Sequence, residues 1–332
     1  MRYRKIGNLG WEVSEVGYGM WGIAGGSGGF TGADYESAPG CLDEAVARGC
    51  NFFDTAWTYG GGRSEQMLGA LLRRHPDTRI YVATKIPPKN GEWPPGSDDA
   101  LDDVFPPNHL REYTYRSLEN LGTSRIDLMQ LHVWEDRWAC DDRWQDALAG
   151  LKSEGVIDAI GISVNRWEPA NCLAALDTGL IDVIQVIYNI FDQAPEDVLL
   201  PRAQQDGIGI IARVPFDEGT LAGAITAASR WPEGDWRSTY FGEENLGPSV
   251  ARLRRLTDAV ADRMALLHMT LPELALRFIL EHPGVSTVIP GMRTLAHVRA
   301  NLAASDGQRL DPALLAELRK HRWDRAPAWW SG

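Results

Sequence analysis

The sequence predicts an α/β protein, a single (β/α)8 (TIM) barrel spanning residues 1–332. Three observations predict it. Short apolar, β-branched runs recur as continuous blocks rather than alternations, the pattern of strands covered on both faces of a parallel sheet. Stretches with apolar residues at three- and four-residue spacing fill the gaps. Strand and helix alternate eight times, which points to a closed α/β barrel.

The strand-like runs begin near residues 13–19 and continue at 51–54, 80–85, 127–132, 159–163, 183–186, 208–213 and 286–290. Helical periodicity marks 34–48, 64–74, 107–121, 141–154 and 169–178, then 195–205, 272–281 and 295–303. Several of these start at Asp, Ser or Pro, and Gly49, Gly122, Gly155 and Gly179 each close a helix, as capping requires. The 332 residues exceed the roughly 250 of a typical barrel, so insertions are expected. Residues 1–11 read as a hairpin turning at Gly7-Asn8-Leu9-Gly10, ahead of the first strand. Segments 87–105 and 134–144 are loops. The longest insertion, 216–254, follows the seventh strand and holds Trp231, Trp236, Tyr240 and Phe241; its length and its Gly, Pro and aromatic content predict a mobile flap. The tail carries Trp323, Trp329 and Trp330.

Composition narrows the function classes. Apolar residues make up 44% and charged residues 23%, as in an ordinary globular protein. The net charge of −12 repels a polyanion, so nucleic acid is not an expected partner, whereas a small anionic cofactor needs only a local cluster of donors. No apolar run reaches the ~18–20 residues of a membrane span, and the charged N-terminus has no apolar stretch behind it. Cys41, Cys50, Cys140 and Cys172 form no CxxC and no metal-ligand spacing, so reduced thiols in the cytoplasm and no bound metal are expected. An oligomer is compatible with the sequence, which does not specify one.

Chemistry in such barrels belongs at the C-terminal ends of the strands. Asp54 ends the second strand and Tyr59 follows on its loop; Lys85 ends the third and His132 the fourth. Each has a plain structural reading: Asp54 as a turn cap, Tyr59 as packing, His132 as a satisfied core histidine. Lys85 resists one, because an unpaired ammonium at the barrel mouth is costly and Asp54 is the partner one strand over. The four together outweigh the plain readings.

At these residues the sequence resembles the aldo-keto reductase superfamily, from end to end. The resemblance is carried by Asn51-Phe52-Phe53-Asp54-Thr55-Ala56 with Tyr59-Gly60, Ser64-Glu65, Leu68-Gly69, Ala83-Thr84-Lys85, Leu131-His132, Gly161-Ile162-Ser163-Val164-Asn165, Gln185 with Tyr188-Asn189, Ile289-Pro290-Gly291 and Asn301. It implies a barrel that binds NAD(P)H without a Rossmann domain and reduces a small-molecule aldehyde or ketone, or runs the reverse. It makes Tyr59 the general acid, with its pKa lowered by Lys85, Lys85 held by Asp54, and His132 a donor to the substrate oxygen.

The same resemblance puts Ser163, Asn165 and Gln185, with Asp54, beside the nicotinamide. Arg213 stands at the end of the seventh strand where relatives often have an aromatic ring; a guanidinium also stacks. Val214, Pro215, Phe216, Gly219 and Leu221 follow along the pyrophosphate. Gly291, Met292, Arg293 and His297 meet the adenosine 2′ region, and Asn301 the adenine. Gly19, Met20 and Trp21 contact the cofactor from the first strand, although Met20 stands where many relatives have Thr. Trp21, Trp57 and Trp134 are expected to wall the substrate pocket. NADP(H) is favoured over NAD(H), because residues 291–297 hold Arg293 and no Asp or Glu.

Two attractive patterns are rejected. Gly17-Tyr18-Gly19-Met20-Trp21-Gly22 fits G-x-G-x-x-G, but Gly25, Gly26, Gly28 and Gly29 oppose the helix that a dinucleotide fingerprint needs. Tyr81 and Lys85 have the spacing of a helical Tyr/Lys pair but fall on a strand, roughly 13 Å apart. A cofactor-binding, redox-sensing regulatory subunit with little turnover is the alternative reading.

Overall fold

The computed structural model describes residues 1–25, 31–32 and 35–328; Gly26, Gly28, Gly29, Trp329 and Trp330 lie outside the described residues. Strands β1 (Tyr3–Lys5) and β2 (Glu12–Ser14) form an antiparallel hairpin. Eight parallel strands follow: β3 (Tyr18–Gly19), β4 (Phe52–Asp54), β5 (Tyr81–Ile86), β6 (Ile126–Leu131), β7 (Ile157–Ser163), β8 (Val183–Ile187), β9 (Gly209–Arg213) and β10 (Thr287–Val288). They pair strictly in chain order. Parallel bridges Val16–Val288 and Gly19–Gly291 join the first of them to the last and close the barrel. The first strand is shorter than its sequence run, because Val13 belongs to the hairpin.

The hairpin plugs the N-terminal end. Ile6 and Val13 pack with Phe52, Ala83, Leu128 and Ile211 in the interior, and Trp11 stacks on Tyr81 at 5.2 Å. A second, larger core lies between the strands and the outer helices. There the helices Arg63–Arg74 and Pro107–Leu121 approach so closely that a Cβ on Gly69 would sit 2.3 Å from the Leu121 carbonyl oxygen. Among the described residues no helix is long and apolar enough to cross a membrane.

Differences from the sequence expectation have local causes. The first outer helix spans Ala38–Ala47, with Pro39 in its first turn fixing the start. The periodic stretch 169–178 forms only Leu173–Asp177 as helix. Asp136, from the preceding loop, accepts from the backbone amides of Ala174 and Ala175 at 2.7 and 3.0 Å and so sets the helix start from outside. The largest difference is Glu243–Leu267, a 25-residue helix beginning inside the expected insertion. Gly247 and Pro248 in its early turns hide it from a reading that treats Pro as a breaker. With Trp236–Tyr240 also helical, the second half of the insertion is regular structure anchored on an apolar cluster of Ile225, Tyr240 and Phe241.

Candidate active site

The ends of β3 to β8 converge at the C-terminal mouth. Parallel register sets Gly19 beside Asp54, Lys85 beside Gln130 and Ser163 beside Gln185. The Lys85 side chain is fully buried. Its Nζ donates to Asp54 Oδ2 at 2.7 Å, to the Thr55 carbonyl at 2.7 Å and to the Tyr59 hydroxyl at 3.4 Å. Asp54 Oδ1 accepts from Gln185 Nε2 at 2.7 Å and from Gln130 Nε2 at 3.4 Å. The ammonium and the carboxylate are therefore each multiply satisfied, which a buried pair requires.

Tyr59 sits on the turn that leads into Arg63–Arg74. Gly60, Gly61 and Gly62 have φ of 67°, 62° and 90°, and a Cβ on Gly60 would meet the Ala24 carbonyl oxygen at 2.8 Å. Only glycine makes this tight return. Behind Lys85, Thr84 donates to Glu65 at 2.6 Å, Asn120 donates to the other Glu65 oxygen at 2.8 Å, and Thr55 donates to Ser64 at 2.6 Å. These bonds lock the helix carrying Ser64-Glu65 to the strand carrying Lys85.

The electrostatics amend one expectation. Burial pushes the Tyr59 pKa up; Lys85 pulls it down and Asp54 pushes it up again, and the net direction is upward. Lys85 therefore limits a rise instead of producing a depressed value, and Tyr59 is a protonated phenol at neutral pH. His132 faces the Tyr59 ring edge-on at 5.7 Å between centroids. Burial, then the charges of Lys85 and Arg213, hold its pKa well below the usual histidine value. The imidazole is neutral, and its buried Nδ1 has no hydrogen-bond partner among the described residues. Neutral His132 and protonated Tyr59 thus stand beside each other, each able to donate a hydrogen bond.

The remaining expected residues divide. Ser163 and Gln185 lie side by side in register, and Gln185 commits its amide nitrogen to Asp54. Asn165 ties two loops together. Its amide nitrogen donates to the Trp134 carbonyl at 2.7 Å and its oxygen accepts from the Trp134 amide at 3.1 Å. Glu135 and Glu168 take further bonds from that nitrogen. Trp134 is fully buried, edge-on to Trp138 and Trp144 at 5.7 and 5.1 Å.

Trp21 is stacked on Tyr59 at 6.2 Å. Trp57 is half-buried, with its edge against Tyr113 at 4.8 Å. The side chains of Met20, Leu221 and Met292 are fully buried in the outer core, so these positions can offer only backbone to a cofactor. Gly19 and Gly291 are bridged to each other. Arg293 is half-buried and donates to the Thr31 carbonyl at 3.3 Å, beside the charges of Arg237 and Asp235. His297 is exposed near it, and Asn301 is buried at the helix Leu295–Ala303.

Arg213 is half-buried; burial first, and then Arg166, bring its pKa down to about 10. The backbone after it is strained: Val214, Asp217 and Glu218 have φ of 55°, 45° and 55°, and Gly219, between Pro215-Phe216 and Leu221, has 111°.

Sequence reasoning missed three groups here. Trp93, in the loop after β5, meets His132 edge-on at 4.5 Å. Arg166 and Glu218 form a buried pair at 2.6 Å. Arg325, from the tail, reaches Asp192 and Asp217. An arginine directly after Ser163-Val164-Asn165, at a strand end, was a legible signal for Arg166; the other two depend on folding.

The fold and this constellation define an α/β-barrel oxidoreductase site. The sequence model of the Aldo/keto reductase family matches residues 15–322. The chain is 31% identical over 326 residues to the uncharacterized oxidoreductase YqkF of Bacillus subtilis (strain 168), covering 97% of this chain and 96% of that one. It is 29% identical to the NADH-specific methylglyoxal reductase of Escherichia coli (strain K12), covering 92% and 93%. Among solved structures, the holo form of aldo-keto reductase AKR11C1 from Bacillus halodurans superposes with a TM-score of 0.75 at 27% identity, covering all of both chains. The chain belongs to the aldo-keto reductase family. It is an oxidoreductase of a family whose members use a nicotinamide cofactor.

Proposed function

We propose that this protein reduces an aldehyde or ketone to an alcohol with NADPH, using Tyr59 as general acid. The observation that carries the reading is the buried Lys85–Asp54 pair at 2.7 Å, with the Tyr59 hydroxyl 3.4 Å from the same ammonium. The residues fit a nicotinamide: Ser163 and the Gln185 carbonyl border Asp54, and Arg213 keeps a buried Nε without a partner among the described residues. When bound, that group supplies the hydride. Tyr59 holds the proton for the carbonyl oxygen, and Lys85 stabilises the phenolate left behind. Asp54 keeps Lys85 charged and aimed. His132, neutral, donates to the same oxygen and orients it. Trp21, Trp57 and Trp93 give the mouth an apolar, aromatic wall that suits a bulky or planar carbonyl compound.

Tyr59→Phe tests this reading. Fold and cofactor binding persist, while reductase turnover over a carbonyl panel falls about 10²–10⁴-fold. Turnover equal to wild type ends it. Tight cofactor retention with negligible wild-type turnover favours a redox-sensing regulatory role instead.

Preference for NADPH rests on Arg293, with Arg237 close by and Asp235 as a nearby opposing carboxylate. An Arg–phosphate contact contributes about 1.5–3 kcal/mol, and the carboxylate trims this to a moderate preference. Titrating NADPH and NADH into wild type and Arg293→Ala decides it: the affinity ratio favours NADPH and collapses in the variant. Cys50, Cys140 and Cys172 are free thiols, in keeping with a cytoplasmic setting.

A further inference from the structure

Glu65 is fully buried in the first turn of the helix Arg63–Arg74, which opens just after the Tyr59 turn, and the reaction as described makes no use of its charge. Its Oε1 accepts from Thr84 Oγ1 at 2.6 Å and its Oε2 from Asn120 Nδ2 at 2.8 Å. Asn120 arrives from the helix Pro107–Leu121 over Gly62, where a Cβ would sit 2.5 Å from the same Nδ2. Neither bond is to a cation. The cation whose charge acts on Glu65 is Lys85, the residue after Thr84.

A buried carboxylate is costly, and a glutamine of the same shape fits these neighbours if the Asn120 amide turns over to accept from it. Hydrogen bonding alone therefore does not call for a charge here. Adjacent side chains on a strand leave on opposite faces. Lys85 leaves β5 inward, to Asp54 at 2.7 Å, and Thr84 leaves it outward, to Glu65. Two carboxylates thus flank the end of β5, Asp54 in contact with the ammonium and Glu65 behind the strand. The same helical turn grips the ammonium from its other side: Thr55 Oγ1 donates to Ser64 Oγ at 2.6 Å, and the Thr55 carbonyl accepts from Lys85 Nζ at 2.7 Å. The other groups facing Lys85 and Tyr59 are Asp54, Arg213 and the neutral His132. Burial raises the Glu65 pKa, while Thr84, Ser117, Asn120 and Lys85 draw it back, so the carboxyl is ionised at the alkaline pH where a phenol titrates.

We propose that Glu65 is a positioning residue that acts through Lys85: its charge, on the face of β5 opposite Asp54, holds the Lys85–Tyr59 pair in the ammonium–phenol form that delivers a proton. This rests on the reductase reading only in taking Tyr59 as the proton donor.

The test reads Tyr59 ionisation itself, by ultraviolet titration of the phenolate in the full-length chain, as the difference from the same chain carrying Tyr59→Phe. No turnover is measured, so failure of the reductase reading does not touch it. Loss of a negative charge favours the phenolate and disfavours the ammonium. Glu65→Gln is therefore expected to move the Tyr59 midpoint down by about half a pH unit or more, opposite in sign to the loss of Lys85. Thr84→Val removes a bond to the carboxylate and keeps the charge, so its midpoint stays. A carboxylate that serves only the helix N-terminus predicts reduced stability in Glu65→Gln with the midpoint unmoved, and that result overturns the proposal. An equal displacement in Thr84→Val overturns it too, because geometry and not charge would then be the cause. Should Glu65→Gln fail to fold, Glu65→Asp draws the charge back by one methylene and moves the midpoint the same way by less; an unmoved midpoint there is equally fatal.

Discussion

At the scale of single residues, Lys85 brings a charge into a place without water, and its three bonds, to Asp54, Thr55 and Tyr59, are what make that tolerable. Lys85→Met removes all three. Because Asp54 stays buried and loses its cation, the variant is expected to unfold about 3–5 kcal/mol more easily, measurable by denaturant titration. Tyr59 loses the larger of the two charges, Lys85 and Arg213, that restrain its upward pKa, so the alkaline limb of the pH–rate profile moves up and turnover falls. An unchanged profile contradicts the coupling. His132 allows a sign to be worked out. Its folded pKa is depressed, so below the ordinary value of 6.5 the unfolded chain takes up a proton that the folded one refuses. The stability linked to His132 is complete above that value and is lost as pH falls beneath it. By the same token, reductase activity shows no inflection from His132 near pH 6.5. An NMR titration of the ring carbons checks both, and a normal imidazole midpoint would refute them. The tetrad was legible residue by residue, because each member ends a strand or follows one. The direction of the Tyr59 shift was not: it depends on how much solvent the closed barrel excludes.

At the scale of elements, loops were read less well than strands. A strand's alternatives are few once its apolar run is seen, whereas a loop side chain takes whichever partner folding brings. Asn165 was read toward a ligand and is used by Trp134, Glu135 and Glu168. Trp134 was read as a wall of the substrate pocket, and it packs edge-on against Trp138 and Trp144. The insertion after β9 shows the same effect on a larger piece. Its first part is an irregular, strained turn; its later part is the long helix Glu243–Leu267, tied down by the cluster of Ile225, Tyr240 and Phe241. Asp235 links the insertion to the loop after β3, accepting from the Thr31 amide at 2.9 Å and its hydroxyl at 2.7 Å. A flap confined to residues 216–235 follows from this division. Hydrogen exchange on NADP⁺ addition is expected to show new protection there and none along Glu243–Leu267. Equal change in both segments, or none in the first, would remove the flap.

At the scale of the molecule, both chain termini pack onto the barrel. The N-terminal hairpin fills the bottom. At the top the tail returns: Trp323 N–H donates to the Phe191 carbonyl at 2.7 Å, and Arg325 lies over the Trp167 and Trp323 rings at 4.5 Å each. Arg325 bonds Asp192, Asp217 at 2.8 Å and Tyr240 at 3.1 Å, so the tail, the loop after β8 and the insertion share one buried ion cluster. Arg325→Ala leaves two acids facing each other without a cation. A loss of about 3–5 kcal/mol is expected, largest at neutral pH and smaller in acid, where the stranded carboxylates take up protons. Chemical denaturation at two pH values measures it; a loss independent of pH would mean that the arginine acts through packing alone.

The sequence by itself determined the barrel and the four residues at its mouth. Apolar runs buried on both faces and capped helices between them leave few other folds, and strand-end positions fix which side chains point into the opening. Pairings between distant loops were decided only by the tertiary structure. Asp136 holding Ala174 and Ala175 at a helix start, Arg166 holding Glu218, and Arg325 reaching Asp192 and Asp217 join residues between 38 and 133 positions apart. No local propensity encodes such contacts. They exist because burial makes an unpaired charge or amide costly, and each group takes the partner that the closed barrel puts within reach.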